Sequence, residues 1–531
     1  MKAMKKFVKH YHILPLICLL LFFAAADQLI CRYVVLQVNS PLYSMLPEDK
    51  LPLYFHIAAG TFYLYICFDT IRQITYADKT GGRNFRSDYA KYHKTYGWLT
   101  SYFHDNTKLH INPETLPVAK WYESEGVILG KKENRIIHKP SDAAGNITLF
   151  GLPGTGKTAS VIIPTAICFS GSILCIDIKG DIEHAVRSYT KNQRKIKVFN
   201  PEDPESLHFD ILAGVEDMNL ADRELLIKSL CDIIIPPSEK DRYFIPNARN
   251  LFCGICLYLL DQDVHMDFSE IIRQILTGDP IQWVITIRSS SCQIAQEYTN
   301  HLFGEKPEHV CGCYTQCADA VKSTFSIGSS ALLFNRTEHC ISPKDLEDGY
   351  DIYLRIPQDK ISVYAPMTTV ICDTFMRYFM QKDDIATGQK PRPILFMLDE
   401  FPQLHFNFQA VSAALATLRS KGVSLLLAQQ SAGQIEERYG SYGFKQIMDM
   451  CRYTVIMSAK DPGSARYFQE MIGTQKILTV SVSKSKNGIS KSVSESREPI
   501  YQLTDLQRLG DHVVIQYDGS YIEAEKTFYF K

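Results

Sequence analysis

One run of eight residues constrains this chain more than any other: Gly151-Leu152-Pro153-Gly154-Thr155-Gly156-Lys157-Thr158. It follows a short apolar segment, Asn146–Phe150, and opens a helical pattern. That is the strand–loop–helix setting in which a glycine-rich phosphate loop works. Glycines let successive backbone N–H groups turn toward phosphate oxygens, and the following helix presents the positive end of its dipole. Lys157 is expected to reach the β- and γ-phosphates and Thr158 to offer its hydroxyl to Mg2+. Gly151 to Thr158, with Ala159 next to them, are the expected nucleotide-binding residues. A chance match is the alternative, and the flanking segments weigh against it.

The second half of such a site is an acid at the tip of another buried strand. Ile394–Leu398 ends in Asp399-Glu400. Asp399 is expected to hold Mg2+ through water, and Glu400 to orient and polarise the attacking water, as in ATPases rather than GTP-hydrolysing switches. No Asn-Lys-x-Asp run of the guanine-reading kind is present, so the nucleotide read from the sequence is ATP. A helix N-cap followed by a solvated acid is the bland alternative for the pair. A third segment, Val423–Leu427, ends at Ala428-Gln429-Gln430-Ser431. An amide there can sense the γ-phosphate; Gln430 is the expected residue, with Gln429 as near alternative and a polar loop entry as the plain one.

Further short apolar runs at 173–178, 196–199, 352–356 and 454–457, with helical patterns between several of them, suit strands buried on both faces of a parallel sheet. One intervening helix is expected over Met367–Met380. The fold class is therefore α/β, a nucleotide-binding domain in two parts, 126–210 and 346–531. Between them, 211–345 reads as an inserted all-α domain, with helices expected at Leu220–Ile234, Asn247–Leu260, Phe268–Leu276, Ile281–Tyr298 and Ala318–Leu333. Such an insertion is expected on the surface as a substrate-docking unit. Near the end, 476–498 holds Asn487-Gly488 between alternating segments, which favours a hairpin. Its Lys484, Lys486 and Lys491 read as a solvated face, or else as a DNA contact.

The first 75 residues differ in kind. Two apolar stretches, about 13–38 and 51–70, are long enough to span a bilayer as helices, the first only if it tolerates Asp27 and Arg32. A secretory signal cut at Ala24-Ala25-Ala26 competes for the first stretch, but a second span follows it closely and the nucleotide site needs cytoplasmic nucleotide. Lys2, Lys5, Lys6 and Lys9 precede the spans, and Arg72, Lys79, Arg83, Arg86, Lys91 and Lys94 follow them. Positive charge thus places both termini and the catalytic domain in the cytoplasm, with a short hairpin loop outside. Residues 76–125 read as a linker.

With 57 Lys and Arg against 58 Asp and Glu, the net charge of −1 excludes nucleic-acid binding by bulk charge; any basic footprint is local. Fifteen cysteines in 531 residues are too sparse for a secreted disulfide scaffold. Cys253 and Cys256 fall in an apolar helical run and read as core. Cys311, Cys313 and Cys317 could supply three metal ligands, but no fourth at zinc spacing completes them.

Taken together, the chain resembles the type IV coupling proteins of the TraG/TraD kind, membrane-anchored ATPases of conjugation and type IV secretion. The resemblance runs from Gly126 nearly to the C-terminus. It rests on Gly151–Thr158, on Cys175-Ile-Asp177-Ile-Lys179-Gly180-Asp181, and on Tyr353-Leu-Arg-Ile-Pro357. Leu398-Asp399-Glu400-Phe401, Leu418-Arg419-Ser-Lys-Gly422, and Gln430-Ser431 with Gln434 and Tyr439-Gly440 complete it. His405 departs from the small residue many members carry there. The resemblance implies a RecA-like domain and a homo-hexameric ring at the bacterial cell membrane. It also implies export of single-stranded DNA with its relaxase, or of another secreted protein, through type IV secretion channel components. It places an arginine finger at Arg419, acting on the neighbouring subunit; a surface arginine capping its own helix is the alternative. Two other functions remain open: a nucleotide-gated receptor that recruits protein effectors without pumping DNA, and a DNA translocase of the FtsK/HerA type.

Overall fold

The computed structural model describes residues 115–117 and 121–530, apart from 133–134, 239, 326–329, 338–339, 387–390 and 486–487. Both expected membrane spans and nearly all of the expected linker lie outside the described residues. Among those described, no helix is long and apolar enough to cross a membrane.

A 12-stranded sheet organises the chain. Its strands are β1 (Thr115–Pro117), β2 (Val127–Lys132), β3 (Arg135–Lys139), β4 (Asn146–Phe150), β5 (Ser172–Asp177), β6 (Lys195–Phe199), β7 (Tyr350–Arg355), β8 (Ile394–Leu398), β9 (Val423–Gln429), β10 (Cys451–Ile456), and a late pair described below. The stretch β10-β4-β9-β8-β5-β7-β6 is parallel throughout. Strands β4, β5, β8 and β9 are buried along their whole length, which is why their sequences are continuous apolar runs rather than alternating ones.

The sheet is not wholly parallel, as the sequence pattern suggested. Beyond β10, strands β13 (His512–Tyr517) and β14 (Ser520–Glu525), then β2, β3 and β1, continue it antiparallel. The β13–β14 turn is made by Asp518 (φ 46°) and Gly519 (φ 75°), left-handed positions that fit a two-residue hairpin. The sheet also begins at Thr115, ahead of the expected start at Gly126. A separate hairpin pairs β11 (Thr474–Ser485) with β12 (Gly488–Pro499) antiparallel, as expected; its turn and the side chains of Lys484, Lys486 and Lys491 lie outside the described residues.

Helices cover both faces. The phosphate-loop helix, a wide turn at Thr158–Ile162 running into α1 (Ile163–Cys168), and α2 (Asp181–Thr190) bury Val161, Ile163, Ile182 and Val186 against one face. The inserted helices are α3 (Leu220–Ile234), α4 (Phe244–Gln262), α5 (Phe268–Thr277), α6 (Pro280–Arg288), α7 (Gln293–Thr299) and α8 (Pro307–Phe325). Where one helix was expected over Ile281–Tyr298, α6 stops at the serine run 289–291. There the Ser290 hydroxyl donates to the Ile287 carbonyl and accepts from the Cys292 N–H, competing with the helical ladder. Likewise α8 starts well before the expected Ala318, because its core face counts Val310, Cys313, Tyr314 and Cys317. Cys313 and Cys317 are buried in that face while Cys311 is exposed, so the three do not point at one centre. Cys253 and Cys256 are buried in α4, as core residues.

The insertion is tied at its neck. Phe209 N–H donates to the Leu333 carbonyl at 2.8 Å and Ile341 N–H to that of His208 at 2.7 Å. Yet it does not stand off the sheet. It shares one continuous core with α9 (Ile361–Met380), which starts a turn ahead of Pro366 rather than after it as expected. Phe209 meets Phe375 at 5.6 Å, and the Ser229 hydroxyl donates to Asp373 on α9.

Candidate nucleotide-binding site

The expected site residues other than Arg419 come from three adjacent strand tips. Strand β9 lies between β4, which feeds the phosphate loop, and β8, which feeds Asp399 and Glu400. The loop closes on itself through Thr155, whose N–H and hydroxyl both donate to the Leu152 carbonyl. Gly154 (φ 79°) and Gly156 (φ 92°) hold left-handed conformations in which a side chain is strained. Pro153 and Gly154 are exposed, and Leu152, Thr155, Gly156, Thr158 and Ala159 half-buried, so the loop's outer surface faces solvent. Gly151 and Lys157 are buried.

Lys157 lies under the loop with its Nζ 3.5 Å from Glu400 Oε1. Gln430 Nε2 donates to both Glu400 oxygens, at 3.2 and 3.1 Å, and Gln403 Nε2 to one of them at 3.3 Å. Three residues from three chain segments thus hold one carboxylate. Glu400 itself adopts φ 50°, a left-handed conformation that costs a non-glycine residue roughly 1–2 kcal/mol. Its backbone is bent so that the side chain enters this network.

Asp399 is buried behind it and accepts a hydrogen bond from Glu400 N–H at 3.0 Å. Burial pushes its carboxyl up to about 6, against the opposing Lys157 charge, with Glu400 adding to the rise. Asp177, at the tip of β5, accepts N–H bonds from Gly180 and Glu183 and so caps α2. Burial raises its carboxyl while those N–H groups hold it down.

Gln429 is the residue that the site does not use: its side chain is fully buried and its amide atoms meet no partner among the described residues. Arg419 stays apart as well. It follows α10 (Phe408–Thr417) in a tight turn ahead of β9, at the end of the strands opposite to Lys157, and is exposed. Three contributors were missed in the sequence. Ser458 Oγ, just past β10, accepts the Leu152 N–H at 3.4 Å. Its signal was the same strand-tip position that marked Gln430. Gln403 follows Glu400 by three residues, and only the turn Phe401–Gln403 brings it round. Phe528 lies against Gly156 from a distance in sequence that no local pattern spans.

Residues 115–531 match the family model for type IV secretory system conjugative DNA transfer. The chain belongs to that family. Among similar members, the type IV secretion system-coupling protein VirD4 of Bartonella henselae is 24% identical over 362 residues, covering 64% of this chain and 55% of that one. A probable conjugal transfer protein TraG of Sinorhizobium fredii is 23% identical over 428 residues, covering 76% and 64%. The chain thus spans a little over half the length of the VirD4 relative and less than two thirds of the TraG relative. The bacterial conjugative coupling protein TrwBdeltaN70 superposes with a TM-score of 0.59 at 14% identity, covering 76% of this chain and 88% of its own. A structure of the plasmid coupling protein TrwB in complex with ADP and Mg2+ superposes at 0.59 and 13% identity, covering 81% and 91%. At such identity the likeness is one of fold: an α/β nucleotide-binding fold on a large mixed sheet.

Within this family setting, the described residues fit a nucleotide and its metal. The loop offers backbone N–H groups and a lysine, and Thr158 and Asp399 are the hydroxyl and buried carboxylate suited to Mg2+.

Proposed function

We propose that this family member is a membrane-anchored ATPase that couples single-stranded DNA, with its relaxase or another secreted protein, to export through a type IV secretion channel. It works as a homo-hexamer at the bacterial cell membrane, with both termini and the catalytic domain cytoplasmic. The observation that carries the reading is the convergence of Lys157, Glu400 and Gln430 at one edge of the sheet, with Asp399 behind them.

ATP with Mg2+ supplies a phosphoanhydride whose terminal phosphoryl group is made electrophilic by the metal. The chain's residues then divide the work. Lys157 would exchange its Glu400 partner for phosphate oxygens, and Thr158, with Asp399 through water, would hold the metal. Glu400, freed from Lys157 yet still held by Gln430 and Gln403, keeps an orientation from which it can take a proton from water, a role worth about 10²–10⁴ in rate. Gln430 bridges Glu400 and β9, so loss of the terminal phosphate is felt along that strand. Arg419, remote from its own site, acts on the site of a neighbouring subunit.

The test is hydrolysis by the full-length chain in detergent, with and without single-stranded DNA. The expected result is DNA-stimulated phosphate release by wild type and none by Lys157→Ala. Hydrolysis that DNA leaves unchanged would favour a receptor role over a DNA motor, and equal hydrolysis by both proteins would remove the catalytic assignment.

A further inference from the structure

The chain beyond β14 turns back onto the phosphate loop. Lys526 anchors the return, its N–H donating to the Asp511 carbonyl at 2.9 Å and its Nζ to that of Gly510 at 2.6 Å. Tyr529 N–H then donates to the Ala159 carbonyl at 3.0 Å, and the Tyr189 hydroxyl donates to the Tyr529 carbonyl. These bonds fix the segment between them against the start of the phosphate-loop helix. The Phe528 ring lies so close that a β-carbon on Gly156 would meet its Cε1 at 3.0 Å. Phe530 sits alongside, ring centroids 5.5 Å apart and planes 33° from parallel, and is 61% exposed. Two aromatic rings are therefore held beside a solvent-facing phosphate cradle.

A phosphate cradle satisfies only the charged end of a nucleotide. The base is a flat, weakly hydrated π-surface, and an aromatic ring fixed next to the cradle is a natural face for it. We propose that Phe528, with Phe530 as its outer neighbour, is the stacking wall for the base of a purine nucleoside triphosphate whose phosphates lie on Gly151–Thr158. This rests on the nucleotide reading above and adds how the base is held. A phenyl ring has no hydrogen-bonding group, so the wall grips the face of the base without reading its edge, and it strengthens adenine and guanine nucleotides alike.

Equilibrium binding of ATP, GTP and inorganic tripolyphosphate to the full-length protein, each with Mg2+, tests this. Phe528→Ala should weaken ATP and GTP by roughly tenfold or more and leave tripolyphosphate unchanged. Phe528→Leu, which keeps apolar bulk under the loop but removes the π-face, should show the same split, and Phe528→Trp should keep wild-type affinity. Phe530→Ala should cost less than Phe528→Ala. An equal loss for tripolyphosphate would make the ring a prop for Gly156, and unchanged or tighter ATP binding by Phe528→Leu would make it a bystander or an obstruction; each overturns the wall alone. Wild-type protein that binds neither ATP nor tripolyphosphate overturns the nucleotide reading and the wall with it.

Discussion

The two edges of the parallel half of the sheet hold their charges in opposite ways. At the carboxyl edge Lys157, Glu400, Gln430 and Gln403 satisfy one another. At the amino edge Arg419 is exposed, and its side chain has no partner among the described residues. Its neighbours, by contrast, are held: Lys421 Nζ lies 2.7 Å from Asp384, and Ser420 donates to the same carboxylate. The turn is thus fixed while its arginine is free. The length of β9, about 20 Å at roughly 3.3 Å per residue, separates the two edges. Arg419 therefore does not reach the phosphate site of its own copy, and its proposed role requires a second copy.

Breaking the carboxyl edge should have the largest effect. Lys157→Ala should lose measurable ATP binding and, with it, all hydrolysis, as read by nucleotide titration and phosphate release. Glu400→Gln keeps the shape and the contacts to Gln430 but not the base; hydrolysis should fall by about 10²–10⁴ with ATP binding retained. Should binding fall in parallel, Glu400 is a structural partner of Lys157 and not a base. Gln430→Ala removes hydrogen bonds to a charged group, worth about 1.5–3 kcal/mol at most. Its hydrolysis should drop by roughly tenfold, and a larger loss than that of Glu400→Gln would reverse the order of roles.

The smallest effect sharpens the comparison from beneath the amino edge, at Ser424 near the start of β9. Lys139 is fully buried at the end of β3, donating to Ser424 at 3.2 Å, and burial pulls its ammonium down to about 8 against the charge of Asp142. Below pH 8 it is charged in both folded and unfolded chains, and the folded state bears the desolvation cost. Between about 8 and its ordinary value of 10.5, the unfolded chain holds one more proton, so stability rises with pH. Lys139→Met should therefore raise the unfolding free energy at pH 7, by about 1–3 kcal/mol after the lost Ser424 contact is counted. The gain should shrink as pH climbs through 8. A variant that destabilises at pH 7 would show that the hydrogen bonds outweigh the desolvation.

Legibility followed burial. Strands β4 and β8 ended where their sequences said, because both faces are apolar and the polar tips mark their ends. In the antiparallel half, Val127–Leu129 and Arg135–Ile137 read as strand-like runs and are β2 and β3, whereas β13 and β14 were passed over: only three residues of β13, Val513–Ile515, form an apolar run and β14 alternates, although Asp518-Gly519 carried the same turn signal that revealed the β11–β12 hairpin. The insertion was visible as helices, but not its packing on α9. Its inward residues, such as Leu226 and Phe252, look the same in sequence whether they meet one another or a second domain. At the site, spacing gave Lys157, Asp399, Glu400 and Gln430. Ser458 and Phe528 depend on strand order and on a chain end folding back, and neither has a local signature.

The two-edge account is tested most directly by mixing subunits. Arg419→Ala protein should bind ATP as wild type does and fail to hydrolyse it, a loss of about 10³–10⁵ if the guanidinium stabilises the transition state in trans. Lys157→Ala protein should be inactive for lack of a phosphate site. Co-assembled, each mutant supplies what its neighbour lacks, and phosphate release should return to a measurable fraction of wild type. Assemblies that form normally and stay as inactive as their two components would contradict the account and leave Arg419 a surface residue at the end of its helix.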